Sequence, residues 1–501
     1  MDRRLETRPA FAIREMLLSG ELSVDEYVAR IYEVIRKSEC LNAFITLRKQ
    51  EDVEKELRSV VERASRGDNL PLAGVLVAVK DNIVTKGLRT TCASRMLEEF
   101  IPPYNATVVE RLVRAGAVIL GKTNMDEFAM GSTSELSAYG PVGNPWCPSR
   151  VPGGSSGGSA VAAAIGAGGV ALGSDTGGSI RLPAAWSGVY GLKPTYGLVS
   201  RYGLVAYADS LEQIGPLARH PRDIAMVMEV IAGFDERDST TLRIGGWREL
   251  PSRPVRPRIA ILRDLLEHPG VDERVAKVVE KMVYRLSESL GWDIGEVKLG
   301  SEILDLALPA YYVIAMSEAS SNLARYTGIL YGPPGRKIVD NVPWTRWFSE
   351  VRKLFGWEVK RRIFMGAFAL SAGYRDALYE KALIIRRRVK DAVLRVLKNW
   401  DAVVLPSCVS PPPRKGEAIG DPLRMYALDL ANVIANLAGV PALAVPAGTV
   451  DGLPVGAQLI SQPLNDRLLV ELAIEIEDHL HLYREPPEEP CKVKCGEADG
   501  E

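Results

Sequence analysis

Apolar residues recur at helical spacing through roughly the first sixty positions. In SVDEYVARIYEVIRKSE, Val24, Tyr27, Ile31 and Val34 fall on one face behind Ser23, a residue type that caps helix N-termini. This part of the chain predicts helices. The pattern then changes: PLAGVLVAVKDN is a β-branched apolar run ending on Lys80 and Asp81, and NATVVERLVRAGAVILGKTN reads as a helix, a glycine stop and a short strand. Helical periodicity returns in DERVAKVVEKMVYRLSESLG and in SAGYRDALYEKALIIRRRVKDAVLRVLKNW, whose basic residues lie mostly on a solvated face. DAVVLPS and PALAVPAG read as late buried strands. Such alternation predicts an α/β fold, without internal repeats and without a linker before about Tyr483. The Ala/Gly-rich run from Ala160 to Gly173 is shorter than the roughly 20 residues a spanning helix needs and reads as a tightly packed buried helix.

Composition narrows the picture. A chain of 501 residues with 47% hydrophobic and 25% charged content is ordinary globular usage, long enough for a large core. With 62 basic against 63 acidic residues the net charge is -1, so no global field attracts a polyanion or an anionic membrane. Any RNA contact is then local or made by a partner. The N-terminus lacks the apolar core of a signal peptide. Cysteines at 40, 92, 147, 408, 491 and 495 offer no disulfide framework for a chain this size, which fits a reducing cytoplasm. Cys491 and Cys495 lie in EPPEEPCKVKCGEADGE, a weak metal pair that reads instead as part of a flexible charged tail over 484–501.

The stretch VPGGSSGGSA, Val151 to Ala160, is either a flexible joint or a place where chemistry happens. Competing motifs fall away first. GAVILGKT fits the phosphate-loop spacing, but a helix precedes Gly116 and AVIL looks like the strand itself. VAVK resembles a kinase lysine strand, yet no H-R-D or D-F-G follows. Gly153 to Gly157 fits G-x-S-x-G without the strand a nucleophile elbow requires. His220, His268, His479 and His481 lack metal-ligand spacing. Without a histidine base, a buried lysine with a depressed pKa can activate a serine, and Lys80 stands at the end of an apolar strand.

A second glycine pair precedes a serine in ALGSDTGGSIRLPAAWSGVYGLKPT, at Ser179. Lys80, GGSSGGS and SDTGGSIR, in this order and with Lys80 75 residues before Ser155 (155 − 80), resemble the amidase signature family over nearly the whole chain. The resemblance implies one large domain over 1–483, with a central mixed sheet covered by helices on both faces. Within it, N-terminal helices take up about 1–65, a catalytic core about 66–220, and a helical and C-terminal part about 221–483. It implies a Ser-Ser-Lys triad: Ser179 the nucleophile, Ser155 the bridging serine with a cis peptide bond, Lys80 the base. Thr176, Gly177, Gly178 and Ser179 resemble the family's oxyanion-hole segment. The Gly/Ser stretch becomes a constrained scaffold, not a joint. At Trp186 and Ser187 the chain departs from the family's usual Phe-Cys.

GKTNMDEFAMGSTSE, KPTYGLVSRYGLVAYADSLEQIGP, SEASSNLARYTGILYG, EVKRRIFMGAFALSAGYRDALYEKA and MYALDLANVIANLAGVPALAVPAG narrow the likeness to the glutaminase branch, which works within three-subunit tRNA-dependent amidotransferases. By that resemblance Arg362 pairs with the α-carboxylate of glutamine, Asp429 with its α-ammonium, and Tyr311 lines the pocket. It further implies that ammonia passes to a partner, the B subunit, where ATP-activated glutamyl-tRNA or aspartyl-tRNA is amidated, with the C subunit bracing the pair. ATP and Mg are expected on the partner, and no cofactor, metal or membrane for this cytoplasmic chain. A stand-alone amidase for another small carboxamide and a non-catalytic amidase-fold or nucleotide-binding module are the alternatives.

Overall fold

The computed structural model describes residues 5–333, 343–482 and 485–493. Its strands are β1 (Phe44–Leu47), β2 (Leu76–Lys80), β3 (Val118–Thr123), β4 (Val170–Asp175), β5 (Tyr190–Lys193), β6 (Gln213–Ala218), β7 (Arg258–Leu262), β8 (Asp293–Val297), β9 (Ala402–Pro406), β10 (Ala442–Val450) and β11 (Leu453–Ile460). They form one sheet in the order β1-β3-β2-β4-β6-β5-β10-β11-β9-β7-β8. The sheet is mixed: β2 runs parallel to both β3 and β4, β7 parallel to β8 and β9, and the remaining pairs are antiparallel.

Strand alternation decides which helices cover which face. Val77 and Val79 pack with the helices Thr107–Arg114, Pro221–Ile231 and Asp466–Leu480, whereas Leu76, Ala78, Val118 and Leu120 meet the helices Val24–Lys37 and Gly157–Ile165. Lys80 has the parity of Leu76 and Ala78, so its side chain leaves the strand toward the Gly157–Ile165 helix. Toward the β9 side, the helices Ser301–Leu323, Lys381–Leu397 and Val433–Ala438 join a third cluster with Ala260, Val403 and Leu405. The expected two-sided α/β layering is therefore present. Ser23 caps as its residue type predicts, its hydroxyl accepting from Glu26 N at 3.1 Å.

Two sequence expectations resolve clearly. Gly121 to Thr123 lie inside β3, so GAVILGKT forms no phosphate loop. Val151 to Ala160 are all buried, and the serine-rich stretch is no linker. Trp186, at the departure from the family pattern, is fully buried and its indole donates to Ser410 O at 2.9 Å.

The tail and the cysteines require correction. Cys40 and Cys491 form a disulfide across a separation of 451 residues. Glu488 meets Arg30 at 3.5 Å and Lys37 at 3.7 Å. Residues 485–493 are thus fastened to the N-terminal helices and are no free tail. The reason is tertiary: the fold brings the two ends of the chain together, which no local cysteine spacing reveals. Cys147 is also disulfide-bonded, whereas Cys92 and Cys408 are buried free thiols. The rest of the expected tail, with Cys495, and the boundary at 483–484 lie outside the described residues.

Closing so long a loop restricts the unfolded chain, a contribution of about 2–4 kcal/mol for typical disulfides. The double variant Cys40→Ser/Cys491→Ser should unfold at lower temperature in calorimetry and be cut faster by trypsin at Lys492. An unchanged melting temperature and cleavage rate would show that the cross-link stabilises nothing.

Candidate functional site

The C-terminal ends of the parallel neighbours β2 and β4 bring Lys80 and Ser174–Asp175 side by side, where crevices in α/β sheets form. Lys80 is fully buried, and its Nζ lies 2.8 Å from Ser155 Oγ, 2.7 Å from Ser156 Oγ, 2.9 Å from Ser174 Oγ and 3.2 Å from Ser174 O. Asn82 Nδ2 donates to the same Ser174 Oγ at 3.0 Å. Four oxygens surround an amine that has three hydrogens when charged and two when neutral. Burial is the dominant influence and lowers the Lys80 pKa to about 7, against Asp126, Asp175 and Glu212, whose charges raise it. The sequence singled out Ser155 alone; Ser156 and Ser174 share the lysine equally.

The Gly154–Ser155 peptide is cis, as the resemblance implies. Ser179 is close by, its carbonyl accepting from Ser156 N at 3.1 Å. Its hydroxyl has no hydrogen-bond partner among the described residues, and at 9% exposure it is the one member of the proposed triad that reaches toward solvent.

Ser179 ends a turn built on one carboxylate. Asp175 accepts from Gly178 N at 2.9 Å, Ile180 N at 3.1 Å, Asn436 Nδ2 at 2.9 Å and two guanidinium nitrogens of Arg181 at 3.0 Å each. Burial alone would raise this carboxyl, yet Arg181 beside it holds it well below the usual carboxylate range. Within the Thr176–Ser179 segment the Gly178 amide is turned to Asp175, and the N–H groups of Gly177 and Ser179 have no partner among the described residues. A side chain at Gly177 would collide with the Tyr311 ring, so glycine is required there for Tyr311 to stand over the turn.

The far wall carries opposite charges. Arg362, on the Trp357–Leu370 helix, is 2% exposed; its Nε donates to Glu358 Oε1 at 2.7 Å and its Nη1 to Tyr207 Oη at 2.6 Å. Its guanidinium faces the rings of Tyr207, Tyr312 and Tyr426 at 5.6, 5.4 and 5.4 Å. Nη2 is buried without a partner among the described residues, a donor nitrogen left for something else. The neighbouring Arg361 is more exposed: it lies over Trp357 and shares Glu358 and the Tyr426 ring with Arg362. Asp429 accepts from Tyr312 Oη at 2.6 Å, and burial lifts its pKa to about 6, against the Tyr312 hydrogen bond, which lowers it. Tyr311 and Tyr312 stack edge to face at 4.9 Å. Adjacent tyrosines therefore reach the Ser179 turn on one side and Asp429 on the other.

The structure brings Lys80, Ser155, Ser179, Gly177, Tyr311, Arg362 and Asp429 into one neighbourhood. Sequence reasoning missed Asp175, Arg181, Tyr207, Tyr312, Glu358 and Asn436. Glu358 was within reach, since it stands four residues before Arg362 on a helix, where opposite charges meet. The tyrosines come from distant segments and carry no spacing signal. Among the described residues no helix is long and apolar enough to cross a membrane.

A family profile described as Amidase matches residues 23–470. The A subunit of glutamyl-tRNA(Gln) amidotransferase from Sulfurisphaera tokodaii is 51% identical over 471 residues, 94% of this chain and 97% of the relative. A relative of the same name from Deinococcus radiodurans is 49% identical over 451 residues, covering 87% of this chain and 90% of the relative. The crystal structure of the A subunit of glutamyl-tRNA(Gln) amidotransferase from Thermotoga maritima superimposes with a TM-score of 0.78 at 38% identity, covering 97% of this chain and 99% of that one. A match across this much of the chain shows that the protein belongs to the amidase family.

Proposed function

We propose that this chain is the glutaminase, or A, subunit of a tRNA-dependent amidotransferase, and that it hydrolyses free glutamine with Lys80, Ser155 and Ser179. The observation that carries the reading is the buried Arg362, whose Nη2 has no partner among the described residues, joined through Tyr312 to Asp429 and through the Tyr311 ring to the Ser179 turn. A neutral amide has no use for a desolvated cation and anion; an amino acid's α-carboxylate and α-ammonium answer both. The names of the half-identical relatives support the same reading.

Neutral Lys80 takes the Ser155 proton while Ser155 takes that of Ser179, whose oxygen then attacks the amide carbon of glutamine. The oxyanion is met by the N–H groups of Gly177 and Ser179, with Thr176 and Gly178 shaping the turn that aims them. On collapse the proton returns through Ser155 to the nitrogen, the C–N bond breaks and ammonia leaves. Water then cleaves the Ser179 ester, with Lys80 again the base, and releases glutamate. This chemistry needs no metal or cofactor in the chain. Ammonia goes to the B subunit, which with ATP and Mg amidates glutamyl-tRNA or aspartyl-tRNA, while the C subunit braces the complex. The exposed Trp357, Phe364, Met365 and Phe368 on the Arg362 helix are the sort of apolar surface that a permanent complex covers. A cytoplasmic site of action fits misacylated tRNA as acceptor. The Cys40–Cys491 bridge removes the cysteine argument for a reducing compartment, since lasting disulfides are rare in cytoplasm outside hyperthermophiles.

Ser179→Ala should abolish ammonia release while leaving the fold and assembly intact, because it removes the attacking atom and little packing; an unchanged rate would sink the triad. The pH dependence separates two groups. The base must be neutral, so kcat should fall about tenfold per pH unit below the Lys80 value of about 7. Asp429 must be ionised to hold an ammonium, so KM for glutamine should rise below about pH 6. A kcat flat down to pH 5 contradicts the lysine base. Finally, Arg362→Ala and Asp429→Ala each leave a ligand charge unpaired, costing on the order of 2 to 5 kcal/mol in analogous interfaces. Glutamine-dependent amidation should collapse in both, while amidation of misacylated tRNA by ammonium chloride survives in the reconstituted complex. Loss of the ammonia reaction with glutamine use intact would place these residues in coupling instead.

A further inference from the structure

Two adjacent buried carboxylates, Asp126 and Glu127, face opposite halves of the site. Asp126 N donates to Ser155 O at 3.3 Å, and its carboxylate accepts from Ser134 N at 2.9 Å and Leu136 N at 3.1 Å. This residue belongs to the serine scaffold. Glu127, 4% exposed, turns the other way: Oε1 accepts from Ser94 Oγ and Oε2 accepts from Gly356 N at 2.7 Å. Gly356 is the N-cap of the Trp357–Leu370 helix. A carboxyl oxygen on the N-cap amide is half of a capping box, supplied here by a residue far away in sequence; burial raises the Glu127 pKa to about 7, so the contact rests on the hydrogen bond and not on a fixed charge. A side chain at Gly356 would strike Glu127 Oε2 and push the carboxyl group off the amide. Phe128, the next residue, packs edge to face on Phe355 at 5.5 Å and on Tyr326 at 5.1 Å, fixing the same junction.

Arg362 lies six residues beyond Gly356, about 9 Å along the axis at 1.5 Å per residue. Wherever the helix starts decides where the guanidinium stands relative to Ser179. We propose that Glu127 is a positioning residue for substrate recognition, tying the start of the Arg362 helix to the serine scaffold and thereby setting the distance between the carboxylate-binding cation and the nucleophile. This rests on the glutamine reading above. Glu127 touches no substrate, and its influence passes through Arg362.

Steady-state glutaminase kinetics of the assembled enzyme test it, with thermal unfolding of each variant alongside. Glu127→Ala should raise KM for glutamine about tenfold or more with kcat changed less than about threefold. Glu127→Gln, whose amide oxygen can still accept from Gly356 N, should recover most of the loss. Gly356→Ala, which pushes against the carboxylate from the other side, should reproduce it and serves if Glu127→Ala does not fold. In an Arg362→Ala background, Glu127→Ala should add nothing, whereas a general packing defect would add its full effect. If Arg362→Ala raises KM but Glu127→Ala and Gly356→Ala do not, or if the effects of Glu127→Ala and Arg362→Ala simply add, the positioning role is overturned and the glutamine pocket stands. If Arg362→Ala itself leaves KM unchanged, the pocket reading fails, and this inference fails with it.

Discussion

Arg181 is completely buried, and all five of its N–H donors are engaged: Asp175 takes two, and Asn436 Oδ1, Gln458 Oε1 and Asn432 O take one each. An ion pair taken out of water recovers its desolvation cost only when its geometry is good and its remaining donors are satisfied. Satisfying this guanidinium therefore dictates much around it. It joins the end of β4 to β11 and to the Val433–Ala438 helix, and it holds Asp175 ionised. The ionised carboxylate gathers the Gly178 and Ile180 amides and so bends the chain through Thr176–Ser179. The Ser179 turn is shaped by a charge pair that itself takes no part in the bond-breaking proposed here.

The same economy of burial governs Lys80. A lysine at a strand end exposed to water would stay protonated; walled in by three serines and the Gly157–Ile165 helix, its ammonium loses solvation and its pKa falls to about 7. Ser155, Ser156 and Ser174 supply polarity without charge, so nothing adjacent restores the protonated form. Asp126, Asp175 and Glu212 act on it only at longer range and moderate the drop.

Two structural layers divide the work. Lys80 and Asp175 stand at the ends of neighbouring central strands, and the serine scaffold packs between sheet and helix. The wall with Tyr311, Arg362 and Asp429 comes from the helices and turns laid over the β9 side, and its position relative to the serines depends on junctions such as Glu127 with Gly356. Aromatic rings around Arg362 exclude water from the cation, and its Nη2 has no partner among the described residues. One layer suits bond breaking; the other suits choosing what is broken.

Much of this was legible in the chain. Helical periodicity marked the helices and unbroken apolar runs marked the strands, because a half-buried helix and a fully buried strand each leave a local apolar pattern. The glycine pairs before Ser155 and Ser179 carried the resemblance because tight backbone turns restrict which residues fit. What stayed hidden depended on contacts between segments far apart. The Cys40–Cys491 bridge spans 451 residues, and nothing near either cysteine marks it. Asp175 and Arg181 were visible letters of a motif whose role appears only when Asn436 and Gln458 arrive from the other end of the chain. That Ser156 and Ser174 share Lys80, that the Gly178 amide is engaged by Asp175, and that Arg362 rather than Arg361 turns inward all follow from side-chain direction in the packed state. Sequence determines which residues can turn, be buried or carry charge, because those are properties of single residues and short periods. Only the tertiary structure decides which of them meet, because burial and hydrogen-bond satisfaction are settled jointly by all the segments that share one interior.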